Sequence, residues 1–153
     1  VSGRAGRDEL GKGITLIQTY NLEHFAIKTA VEKDYDALYR QEIEARRTLG
    51  NPPFFRLVLL KVSSNVAENA RASALKLGAL LKGKETVAQF QILGPIEAPI
   101  QKINNRYYWQ VLLKTENAGP MKQVLKQVFW EKNAWQPAGS TRVSIDVDPY
   151  MLL

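Results

Sequence analysis

The spacing of apolar residues changes along the chain, and each change marks an element. Ile14-Thr15-Leu16-Ile17-Gln18-Thr19 is short and β-branched, which predicts a strand. Asn21 stands where a helix N-cap is expected, ahead of a short helix carrying His24, Phe25 and Ile27. Between Asp34 and Leu49, the residues Tyr35, Leu38, Tyr39, Ile43 and, more loosely, Leu49 recur at helical spacing. They predict an amphipathic helix whose other face holds Arg40, Glu42, Glu44, Arg46 and Arg47. Gly50-Asn51-Pro52-Pro53 stops it: glycine suits the C-terminal cap, and the paired prolines are expected to extend the chain. A domain boundary is expected here, dividing residues 1–50 from residues 51–153.

Phe54 to Val62 is apolar on both alternating sets, as in a strand covered on both faces or central in a sheet. Ser63-Ser64-Asn65 punctuates it. Val66 to Lys82 then places Ala70, Ala74, Leu77 and Leu81 along one stripe, a helix ending at Gly83. Phe90 to Pro95 predicts a second strand, broken by Gly94-Pro95 and continuing irregularly through Ile100, and Lys102 to Asn105 predicts a hairpin tip. Arg106 to Lys114 is the third strand. Gly119-Pro120 opens a helix over Met121 to Lys132 with Val124, Leu125, Val128 and Phe129 inward, and a turn with Pro137 and Gly139 leads to a last strand, Arg142 to Asp148. From residue 54 the order β-α-β-β-α-β is the split βαβ, or ferredoxin-like, α+β arrangement: two helices on one face of a four-stranded sheet, the other face available.

Composition sharpens this picture. The chain has 153 residues, 45% of them hydrophobic and 24% charged, enough for a packed core. No apolar run approaches the ~20 residues that span a bilayer, so no membrane role is expected. Zero cysteines exclude disulfides and thiolate metal sites and suit a cytoplasmic setting, while a single histidine leaves no ordinary zinc site. The net charge of +6 is unevenly placed: residues 1–53 carry eight Lys/Arg and eight Asp/Glu, residues 54–153 carry thirteen against seven. A basic domain beside a neutral one points to a polyanionic partner, most commonly nucleic acid, or to a surface kept basic for solubility.

Several groups could carry chemistry. His24 reads as a packing or capping residue. Asp146 and Asp148, two apart on a strand, would share a face, either as a solvent-facing rim or as the acid pair of a metal-dependent nuclease. In the third strand Tyr107 and Trp109 project to one side and Arg106, Tyr108 and Gln110 to the other, with Lys102 at the adjacent tip. Aromatic faces stack bases and the cations hold phosphates, so Lys102, Arg106, Tyr107, Tyr108 and Trp109 are the candidate DNA-binding residues. The core motif of RNA-recognition modules is absent, and one side of so aromatic a strand must also serve the core.

The strongest anion-binding segment is the first, Val1-Ser2-Gly3-Arg4-Ala5-Gly6-Arg7, where guanidinium forks match phosphate oxygens and glycines admit close backbone approach. Gly11-Lys12-Gly13 is not a phosphate-binding P-loop, since that pattern needs Ser or Thr directly after the Gly-Lys pair and Gly13 stands there. With no Met and no apolar leader, Val1 is expected to be internal to a longer protein. Gly-Arg-x-Gly-Arg resembles the end of motif VI of superfamily 2 helicases, whose arginines reach the γ-phosphate of ATP.

The likeness extends along the chain. Val1 to Arg7, Leu16-Ile17-Gln18-Thr19-Tyr20-Asn21 with Glu23-His24, Asp34-Tyr35, Glu42 with Arg46-Arg47, Pro52-Pro53-Phe54, Leu93-Gly94-Pro95, Arg106 to Gln110 and Asp146-Val147-Asp148-Pro149 together resemble the C-terminal end of the primosomal protein N′ family of replication-restart DNA helicases. The resemblance implies that residues 1–50 are the tail of the second RecA-like helicase lobe, with Arg4 and Arg7 sensing nucleotide, and that the rest is an accessory DNA- and partner-binding domain. It also implies ATP and Mg in the intact protein, with the Walker motifs and zinc-binding cysteines upstream. The implied activity is 3′-to-5′ unwinding at stalled or branched forks, leading to primosome assembly. The implied partners are forked and single-stranded DNA, single-stranded DNA-binding protein, primosome proteins and the replicative helicase loading machinery. The alternative is a free-standing nucleic-acid-binding or protein-docking module unrelated to ATP.

Overall fold

In the computed structural model, residues 14–85, 89–131 and 134–150 are described. The arginine-glycine segment with Arg4 and Arg7, and Gly11-Lys12-Gly13, lie outside them. The chain divides into two compact units, one up to Glu44 and one from Ala45.

In the first unit, residues 14–19 do not form the expected strand. β-propensity needs a neighbouring strand to complete a ladder, none pairs with this segment among the described residues, and Ile14 and Leu16 stand 88% and 94% exposed. Helix α1, Phe25–Glu32, follows, and its N-cap is His24 rather than Asn21: the imidazole Nδ1 accepts the Ala26 N–H at 3.3 Å. Asn21 makes an earlier turn instead, its side-chain oxygen accepting the Glu23 N–H. Helix α2, Tyr35–Thr48, starts at Asp34, whose carboxylate accepts the Ala37 N–H at 2.9 Å. Asp36 in its first turn and Arg46 and Arg47 in its last suit the helix dipole. The division between units falls inside α2.

Gly50 ends α2 with φ +58°, a left-handed conformation that a side chain resists, and Asn51 N–H returns to Arg46 C=O at 2.7 Å. Pro52 and Pro53 then lie in a turn rather than an extended run, with Phe54 and Phe55 N–H both donating to Asn51 C=O. Strand β1 therefore begins at Arg56 and runs to Ser64, two residues later at each end than its apolar pattern suggests.

The remaining elements are α3 (Ala67–Lys82), β2 (Gln91–Ile103), β3 (Arg106–Thr115), α4 (Ala118–Lys126), a π-helical turn (Gln127–Glu131) and β4 (Arg142–Val147). The strands form one sheet in the order β2-β3-β1-β4, every pairing antiparallel. Element order and sheet together give the expected β-α-β-β-α-β α+β domain. β1 is internal, which explains its apolar residues on both faces: Leu57, Val58, Leu59, Leu60 and Val62 are all buried.

The core lies between the sheet and α3, where the stripe Ala70, Ala74, Leu77 and Leu81 is fully buried. It meets Val58, Leu60 and Val62 of β1 and Val111 and Leu113 of β3, with Met121, Val124, Leu125 and Val128 from α4 and its π turn. Gly78 lets α3 approach β2 closely, since a Cβ there would stand 2.6 Å from the Pro95 ring. β2 is longer than its sequence suggests, continuing past Gly94-Pro95 through two register shifts. The π turn replaces the expected end of the last helix and leaves Trp130 66% exposed beside buried Val128.

The face away from α3 is not left bare. Leu57, Leu59, Ser63 and Gln110 are buried there, and the Lys114 ammonium donates to Leu49 C=O while lying 5.6 Å from the Phe55 ring.

Candidate nucleic-acid interface

The hairpin between β2 and β3 closes with a two-residue turn, Asn104 and Asn105, both at positive φ (48° and 62°), between the paired residues Ile103 and Arg106. Such a turn matches the strand twist, and asparagine tolerates its conformation. One pair further in, exposed Lys102 faces Tyr107 across the ladder, its ammonium 5.0 Å from the ring centroid.

Alternation along β3 separates the five candidate residues. Trp109 packs, half-buried, against the core, and Tyr107 belongs to the same alternating set. Arg106 and Tyr108 belong to the set on the other face, where Tyr108 pairs with Ser63. Arg106 reaches across to neighbouring strand and loop: Nη2 donates to Ser63 C=O at 2.9 Å and to Ser140 C=O at 3.2 Å, and Nε to Ser63 Oγ at 3.4 Å. The guanidinium thus ties β3 to the end of β1 and to the loop before β4. The structure brings Lys102, Arg106, Tyr107 and Tyr108 to one end of the sheet and directs Trp109 inward.

A cation not singled out from sequence joins them. Arg142, the first residue of β4, is exposed and pairs with Ser63 on the strand side opposite Tyr108. Its position depends on strand order, which no local pattern reveals.

Asp146 and Asp148 do not act as a pair. Asp146 lies opposite Leu59 on β4, whereas Asp148, at φ +50°, turns its carboxylate to the Arg56 guanidinium and accepts the Leu57 N–H at 3.1 Å. The hydrogen bond from Arg56 lowers the Asp148 pKa, helped by the Leu57 N–H and opposed by partial burial. No group of three or more His, Asp or Glu residues suited to a metal ion occurs among the described residues.

A second surface feature was not legible in the sequence. Between α4 and edge strand β4 runs a largely apolar groove of about 420 Å³, lined by Met121, Leu125, Trp130, Ile145 and Val147 together with the cations Arg56, Lys122 and Lys126. A second hollow of about 590 Å³, sharing Trp130 and Ile145 with the first, lies against Phe129, Trp135 and Val143.

Fold and charge define a class, a basic α+β domain with polar and apolar surfaces suited to binding. The chain belongs to the primosomal protein N C-terminal domain family, whose model matches residues 47–150. It is 34% identical over 153 residues, its whole length, to the replication restart protein PriA of Bacillus subtilis, and 33% over 153 residues to that of Treponema pallidum. It is 38% identical over 115 residues, 75% of the chain, to that of Thermotoga maritima. The chain spans only 19%, 22% and 14% of these relatives, respectively. No helix among the described residues is long and apolar enough to cross a membrane.

Proposed function

We propose that this chain is the C-terminal part of a cytoplasmic, ATP-dependent 3′-to-5′ DNA helicase that recognises stalled or branched forks and promotes primosome assembly and replication restart. The observation that carries this reading is similarity to replication restart proteins over the full 153 residues, beyond the 47–150 matched by the family model. In it, residues 1–50 are the tail of the second RecA-like lobe. The exposed apolar side chains of that segment, Val31, Tyr35 and Tyr39 among them, support this, since they suit burial against further protein. Arg4 and Arg7 supply positive charge toward the γ-phosphate of ATP, which with Mg is held by motifs elsewhere in the parent, as is zinc.

The domain from residue 51 binds DNA, with Lys102, Arg106, Tyr107 and Tyr108 at one end of the sheet. Titration of forked and single-stranded DNA at two salt concentrations tests this: binding that weakens steeply with salt supports it, and no binding at low salt overturns it. DNA-stimulated ATP hydrolysis by residues 1–153 alone would overturn the fragment reading. The second reading, docking of single-stranded DNA-binding protein, primosome proteins or the helicase-loading machinery, is favoured by the apolar groove beside Trp130. Pull-down of such proteins, abolished by Trp130→Ala, tests it.

A further inference from the structure

The register around Ser63 places an aromatic ring and a cation on one face with a small buried residue between them. Ser63 is the Cα partner of Tyr108 on one side and of Arg142 on the other. Two strand spacings separate Tyr108 from Arg142, about 10 Å. Ser63 is 8% exposed, and the Arg106 Nε lies against its hydroxyl between them. Arg106 fixes the arrangement, since its bonds to Ser63 C=O and Ser140 C=O pin both the centre of this row and the residue two before Arg142. Charge is segregated along β4: Arg142 stands at this end, Asp146 and then Asp148 toward the other, where Asp148 is paired with Arg56.

Resting on the reading that this domain binds DNA, we propose that Tyr108 and Arg142 form a contact for single-stranded DNA: Tyr108 stacks an unpaired base and Arg142 holds a neighbouring phosphate. Arg106 is a positioning residue for this pair, its Nη2 and Nε already bonded to Ser63 and Ser140. A flat ring beside a cation recognises a base whose face is free, which duplex DNA does not offer.

The test is fluorescence anisotropy of a labelled oligothymidylate with the 153-residue chain across a salt series, with melting curves to verify that each variant folds. Tyr108→Ala weakens binding about tenfold with an unchanged salt slope, and Tyr108→Phe, which keeps the ring, binds like the parent. Arg142→Gln lowers the salt slope by about 0.7, the value of one single-strand phosphate contact. Lys82→Gln, at the far end of α3, changes neither affinity nor the assigned contact beyond experimental scatter. Parent binding with all variants unchanged overturns this inference and leaves the DNA reading standing. Equal slope changes for Arg142→Gln and Lys82→Gln, or tighter binding to duplex than to single strand, also overturn it. No binding by the parent at low salt overturns the DNA reading itself.

Discussion

Arg56, the first residue of β1, and Asp148, the first residue past β4, form an ion pair that closes the sheet at one end. Backbone bonds reinforce it: Leu57 N–H donates to the Asp148 carboxylate, and Asp148 N–H to Leu57 C=O at 2.7 Å. Because the folded-state pKa of Asp148 lies below its ordinary value of 3.8, the pair contributes stability above that pH and loses it as pH falls through the lowered value. Asp148→Ala is expected to cost about 1 kcal/mol at neutral pH, discounted for partial exposure. Urea denaturation at pH 7 and near pH 3 checks this: the difference from the parent shrinks at the lower pH.

Close packing of α3 on β2 makes Gly78 intolerant of bulk. Gly78→Val would place its Cβ against the Pro95 ring, and overpacking of this kind costs about 1–3 kcal/mol. A lowered urea midpoint with an unchanged m-value is the expected result.

Leu60 and Leu75 give opposite expectations despite their identical chemistry. Leu60 is fully buried in the central strand, so Leu60→Ala costs about 2–5 kcal/mol; Leu75 is 43% exposed on α3, and Leu75→Ala changes stability by about 0.5 kcal/mol or less. Thermal melts of the two variants measure the contrast.

The tryptophans report separately on core and groove. Trp135 is 6% exposed and donates its indole N–H to Ser73 C=O at 3.1 Å, while Trp130 is 66% exposed. Acrylamide quenching is expected to fall sharply in Trp130→Phe. Trp135→Phe removes the indole hydrogen bond to the Ser73 carbonyl, which helix α3 still engages, and lowers stability by about 0.5–1.5 kcal/mol.

Elements whose pattern reflects their own burial were legible in the sequence. The stripe Ala70, Ala74, Leu77 and Leu81 announced α3, and the two-sided apolar run of β1 announced an internal strand. Residues 14–19 show the limit: β-branched side chains make a strand attractive, but pairing depends on residues far away. His24 took the cap because its imidazole reached the Ala26 N–H at the turn where α1 begins. At the candidate interface, alternation correctly separated Arg106 and Tyr108 from Tyr107 and Trp109. It could not reveal that Arg106 is held by Ser63 and Ser140, or that Arg142 lies across Ser63 from Tyr108, because both facts follow from non-local strand order.

The two outer strands of the sheet are built very differently. β4 has only six residues, while β2 has thirteen, interrupted by Pro95, Pro99 and two register shifts. Proline offers no N–H, and a shifted ladder breaks the row of groups that another chain would need to extend the sheet. One margin is short and the other interrupted, so neither offers the long, regular row of backbone groups that strand addition by another chain would extend.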